Sequence, residues 1–126
     1  MILVTNNEKV LKDENISCPK EFLHGSYRDV LINVRDKIHA GQCLLSHPLS
    51  GSVKPNETPY KSILISCEKG GLDVDSLQII ENSIVIYDNF MRNCNKYGYN
   101  IQENLLDDFR EIDYSLIVSA LESLMV

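Results

Sequence analysis

The residues best equipped for chemistry crowd into one stretch, HPLSGSVKPNETPYKS, residues 47–62. His47 carries an imidazole, a side chain that can give or take a proton. Ser50-Gly51-Ser52 sets two hydroxyls around a glycine, a pattern that can present backbone amides to an anion. Lys54 and Lys61 add positive charge, and Asn56, Glu57, Thr58 and Tyr60 supply further polar groups. Pro48, Pro55 and Pro59 remove conformational freedom, so the loop is stiffer than its length implies. Long loops inside compact domains are usually functional or disordered; the prolines and flanking strands favour the first, and stiffness is what a preorganised site needs. The bland reading is that prolines and a glycine merely route the chain.

Other constellations are weaker. Neither G-x-x-x-x-G-K-[ST] nor G-x-G-x-x-G occurs, so neither standard phosphate loop is present. Gly25-Ser26 opens a helix and offers free amides to an anion, although Ser26 reads better as a plain N-cap. Asn6, in the polar step after the first apolar run, joins the ligand-binding set. Cys43 and Cys67 lie in apolar runs where cysteine behaves as a small hydrophobe, and Cys67 beside Lys69 is the better reactive thiol. His47 with Ser50 is not a G-x-S-x-G elbow, so acyl transfer is disfavoured. His24, His39 and His47 with four cysteines lack metal-ligand spacing, and neither metal nor cofactor is expected.

The elements that must position these groups follow from periodicity. Residues 2–5 are a short apolar strand, and 8–13 suit one or two helical turns. Residues 20–24 read as a strand. Tyr27, Val30, Leu31, Val34 and Ile38 make one apolar stripe and define a helix over 26–40, capped by Ser26 and closed by Gly41. Residues 42–46 and 61–67 read as buried strands on either side of the loop. A helix over 73–95 carries a stripe of Leu77, Ile80, Ile84, Tyr87 and Met91. A second line, Ile79, Ile86 and Phe90, is more apolar surface than one contact needs, so a further helix or a second subunit, as in a homodimer through helix 73–95, is expected to pack on it. The tail carries one or two more helices, with Asn100 and Glu103 spaced as cap and N3 partner. Leu105, Phe109, Ile112, Leu116, Ala120 and Leu124 line one of its faces, and Asp107, Asp108 and Glu111 a solvated one.

Alternating strands and helices predict a single α/β domain over 1–126. Its expected form is three-layered and Rossmann-like, with a mostly parallel four-stranded sheet and C-terminal helices. In a parallel sheet, Thr5-Asn6-Asn7, His24-Gly25-Ser26, Ser46-His47-Pro48 and Ser66-Cys67-Glu68 would share the ligand-binding rim.

Composition sets the outer bounds. The 126 residues are 44% hydrophobic and 24% charged, ordinary for a globular chain. A net charge of -6 repels phosphate backbones, so nucleic acid is not an expected partner. No apolar run approaches the roughly 18 residues of a membrane span. The opening MILVTNN does not read as a signal peptide, so a complete, cytoplasmic chain with reduced thiols is expected.

The run GSYRDVLINVRDKIHAGQCLLSHPLSGSVKPNETPYKSILIS, with the opening VTNN, is similar to the GrdX family. That small bacterial family is encoded beside the glycine, sarcosine and betaine reductase genes of amino-acid-fermenting anaerobes. The resemblance spans most of residues 1–85 and centres on HPLSGSVKPNETPY. It implies a cytoplasmic protein close to selenium-dependent reductive deamination, and it carries no assigned catalytic residues. The chain has neither selenocysteine nor a C-x-x-C pair, which argues against a reductase subunit with a catalytic thiol.

Three readings follow. The first is a non-catalytic accessory or regulatory protein of the reductase system, binding a small anion or a protein partner through loop 47–61. The alternative is a small enzyme acting on a phosphorylated or carboxylated metabolite, with His47 as acid or base. The third is an interaction module dimerising through helix 73–95. The residues favour binding over catalysis, because no complete nucleophile–base pair is present.

Overall fold

The computed structural model describes residues 1–49, 58–94 and 103–124. Strand β1 (Ile2–Thr5) leads into a short helix α1 (Glu8–Lys12), then β2 (Lys20–Phe22) and helix α2 (Tyr27–His39). Strand β3 (Ser62–Ile65) follows, then two long helices, α3 (Val74–Cys94) and α4 (Glu103–Leu124).

Sequence explains the local choices. Asn7 caps α1, its side chain accepting from the Lys9 amide at 3.0 Å. Ser26 and Asp29 form a reciprocal capping box at the start of α2, each satisfying the other's backbone amide. The spacing of Tyr27, Val30, Leu31, Val34 and Ile38 buries one face of that helix. At its end Gly41 takes a φ of 106°, and a Cβ there would stand 2.2 Å from the Gly70 carbonyl oxygen. Only glycine fits such a crossing.

The sheet has the order β2-β1-β3. β1 pairs parallel with β2, Leu3 opposite Lys20, and antiparallel with β3, Thr5 opposite Ser62 and Ile2 opposite Ile65. The period-two alternation sends Val4, Ile63 and Ile65 to one face, against α2 and α3. Leu3 and Leu64 face the other way, with Val10 of α1 and Ile117 of α4. Each fully buried aliphatic contributes roughly 1.5–3 kcal/mol of transfer free energy, against about 0–1 for an exposed ion pair. These two apolar seams, rather than pairs such as Lys37–Glu21, therefore hold the layers together.

The expected four-stranded, mostly parallel, Rossmann-like sheet is corrected to a three-stranded mixed one among the described residues. Residues 42–46 do not form a strand; Leu44 makes a lone antiparallel bridge to Ile65. Serine hydroxyls take several of the amides that a ladder would use, and a few backbone bonds such as the Leu45 amide to the Leu64 carbonyl at 2.8 Å remain. Ser46 accepts from the Leu64 amide, Ser66 from the Cys43 amide and Ser76 from the Leu44 amide, each at 2.9 Å. The direction has an equally plain cause. Residues 42–46 follow α2 and lie antiparallel to β3 through the Leu44–Ile65 bridge, so the loop between them turns the chain back and β3 runs against β1.

The tail is one helix over the described residues 103–124, and Asn100 with the Glu103 side chain lies outside them. Its phase also departs from expectation. Leu105, Ile112 and Leu124 are exposed, while Asp113 and Ile117 are buried against the sheet.

Candidate functional site

The carboxyl ends of β1 and β2 and the start of β3 meet at one rim, because β3 runs opposite to β1. Asn6 holds this rim together. Its Nδ2 donates to the Gly25 carbonyl at 3.0 Å and the Pro59 carbonyl at 2.8 Å, and its Oδ1 accepts from the Lys61 amide at 2.9 Å. One carboxamide thus ties the β2–α2 turn to the returning end of the loop.

Beneath it lies a buried polar chain. The Asn7 amide donates to Thr5 Oγ1 at 3.0 Å, and Thr5 Oγ1 lies 2.8 Å from Ser62 Oγ. Ser62 Oγ in turn donates to Asp113 Oδ2 at 2.7 Å. The Ser62 amide reaches Asp113 Oδ1 at 3.0 Å, and Asn7 Nδ2 reaches Oδ2 at 3.0 Å and the Arg110 carbonyl at 2.9 Å. Such chains polarise one another in a low dielectric. Asp113 is 4% exposed, and burial raises its carboxyl above the usual range, against the opposing pull of Asn7, Ser62 and Lys61. Burial likewise lowers the Lys61 ammonium, which Asp113 partly restores. The Tyr27 hydroxyl is pushed up, first by burial and then by Asp113, and it donates to the Pro48 carbonyl at 3.1 Å. The void between Tyr27, Tyr60, Lys61 and Asp113 is about 20 Å³, room for about one water. This cluster is a clamp that docks α4 onto the sheet and fixes both ends of the loop.

The space for a ligand lies beside the clamp. A recess of about 240 Å³ opens at the ends of β1 and β2, walled by Asn6, Glu8, His24, Tyr60 and Arg110. The Arg110 guanidinium lies over the Tyr60 ring, 5.0 Å from its centroid, and Nη1 is anchored by Asp107. His24 stands edge-on to Phe22, with ring centroids 4.8 Å apart.

The expected site residues divide as follows. Asn6, Thr58 and Tyr60 come together at the rim, with Thr58 Oγ1 accepting from the Tyr60 amide at 3.2 Å. Ser26 is occupied as the α2 cap, accepting from the Asp29 amide at 3.2 Å. His47 is exposed, its Nδ1 accepting from the Leu49 amide at 3.0 Å. Ser50, Gly51, Ser52, Lys54, Asn56 and Glu57 lie outside the described residues. Of the four segments expected to share a rim in a parallel sheet, Ser66-Cys67-Glu68 does not: antiparallel β3 carries it to the opposite end. The exposed Cys67 stands there, away from the recess. Among the described residues no cluster of three or more His, Cys, Asp or Glu is placed to hold a metal. No helix is long and apolar enough to cross a membrane among the residues described.

Sequence reasoning passed over Glu8, Arg110 and Asp113 as site residues. A signal for Asp113 existed: it interrupts the apolar line Leu106, Ile117, Ala120 and Leu124 at helical spacing, where a carboxylate needs a buried partner.

A family model described as GrdX-like protein matches residues 2–122. No curated protein and no solved structure matches the chain.

Proposed function

We propose, because the chain belongs to the GrdX-like protein family, that it is a non-catalytic accessory or regulatory protein of the glycine, sarcosine and betaine reductase system. It binds a small anion or a protein partner of that system through loop 47–61, whose described roots lie at the rim. The observation that carries this reading is the use of the rim's polar side chains. Asn6, Asn7, Ser62 and Asp113 spend their hydrogen bonds on each other and on the roots of the loop, so they hold a surface rather than react.

His47 supports binding over catalysis. Its Nδ1 accepts from the Leu49 amide at 3.0 Å, so only Nε2 is left to meet a ligand. The test measures thermal stabilisation by phosphate and acetyl phosphate, and co-migration with purified reductase components, for wild type and His47→Ala. Binding in at least one arm that weakens in the variant is expected. Silence in both arms, or turnover of a phosphorylated metabolite by the isolated protein, would sink the reading.

Self-association through helix 73–95 accompanies this function. Ile79, Val85 and Ile86 of α3 are 37%, 57% and 42% exposed while the opposite face packs on α2.

A further inference from the structure

We infer that the recess walled by Glu8, His24, Tyr60 and Arg110 binds a small zwitterion, a free amino acid carrying both carboxylate and ammonium; this deepens the binding reading above and rests on it. Two opposite charges line one small space. Arg110 and Glu8 both wall the recess, yet no ion pair joins them among the described residues. Each keeps capacity for a ligand. Arg110 has five N–H donors, and Nη1 is the one that Asp107 engages. The contact with the Tyr60 ring, 5.0 Å from its centroid, restrains the guanidinium without using the rest of its fork. The remaining donors suit a carboxylate, which a guanidinium receives bidentately. The ion pair of Glu8, to Lys12, is loose at 3.9 Å with both side chains well exposed, so its oxygens are free to accept from an ammonium.

Size and polarity narrow the class. The volume of about 240 Å³ falls below the roughly 300–1,000 Å³ of drug-sized sites. A recess of that size takes a ligand of a small amino acid's bulk. Phe22 and Leu23 give the recess an apolar part for a short side chain. A phosphate dianion would meet Arg110 favourably but Glu8 unfavourably, whereas a zwitterion satisfies both.

Calorimetric titration with L-alanine, propionate, L-alanine methyl ester and inorganic phosphate tests the inference, on wild type, Glu8→Gln and Arg110→Gln. Circular dichroism confirms that each variant is folded. L-Alanine should bind wild type about tenfold more tightly than propionate or the ester, the factor that one lost charged contact carries. Glu8→Gln should remove that advantage while leaving propionate binding intact, and Arg110→Gln should abolish binding of both. Equal binding of L-alanine and propionate, or an unchanged L-alanine affinity in Glu8→Gln, overturns the zwitterion. So does the absence of any L-alanine heat at tens of millimolar. Phosphate binding or co-migration with reductase components that persists in Glu8→Gln then shows that the accessory reading stands without it.

Discussion

Replacing Asn7 by alanine removes three interactions at once. Asn7 is fully buried, caps α1 through Oδ1, and bridges Arg110 and Asp113 of α4 through Nδ2. Losing an N-cap costs about 1 kcal/mol. Each buried acceptor left short costs about 1–3 kcal/mol, and the lower end applies to Asp113 because both Ser62 donors remain. The sum is about 3 kcal/mol, a large fraction of the 5–15 kcal/mol that holds a typical domain. At about 4 °C per kcal/mol for a chain of this size, the melting temperature should fall by roughly 12 °C. Urea denaturation with an unchanged m-value would confirm a loss of native stability. Asn7→Asp separates the contributions, since aspartate is as good a cap but cannot donate and brings a second carboxylate to Asp113. That variant should be at least as unstable as Asn7→Ala at neutral pH, and should recover as acid neutralises the pair. A cost below about 1 kcal/mol for Asn7→Ala, or a wild-type melting point for Asn7→Asp at pH 7, would refute the clamp.

Two further outcomes follow from the same geometry. Burial raises the Asp113 carboxyl above its ordinary value of 3.8, so the folded state holds that proton more tightly than the unfolded one. This contribution is complete below the ordinary value and is lost as pH rises through the folded one. Stability curves of wild type and Asp113→Asn should therefore converge as pH rises from about 4 towards neutrality, and a widening gap would contradict the direction. For α3, sedimentation should show wild type self-associating at micromolar concentrations and Ile86→Glu remaining monomeric. A strictly monomeric wild type removes the α3 interface.

The sequence alone determined what depends on neighbours along the chain. The Tyr27–Ile38 stripe, the Ser26 cap and Gly41 define α2, because caps and helical periodicity are set within a few residues, while the reciprocal bond to the Asp29 side chain was seen only in the structure. Family membership was equally legible, since it rests on the string around residues 47–60 and on VTNN, and the family match extends it to residues 2–122.

Strand direction was not legible. Periodicity says that residues 62–65 are buried on both faces, but not which neighbour they join or in which sense. Only the tertiary fold placed Ser62 opposite Thr5, and that pairing carried Ser66-Cys67-Glu68 to the far end while bringing the loop roots to the rim. The phase of α4 was lost for a related reason. A helical wheel counts Asp113 as polar and turns it outward, whereas its donors come from Asn7 and Ser62, 106 and 51 residues away in sequence. A buried charge is tolerated only where distant groups converge on it. The recess depends on the same convergence. Glu8 and Arg110 lie far apart in the chain and come to line one space only when α4 docks on α1 and β3.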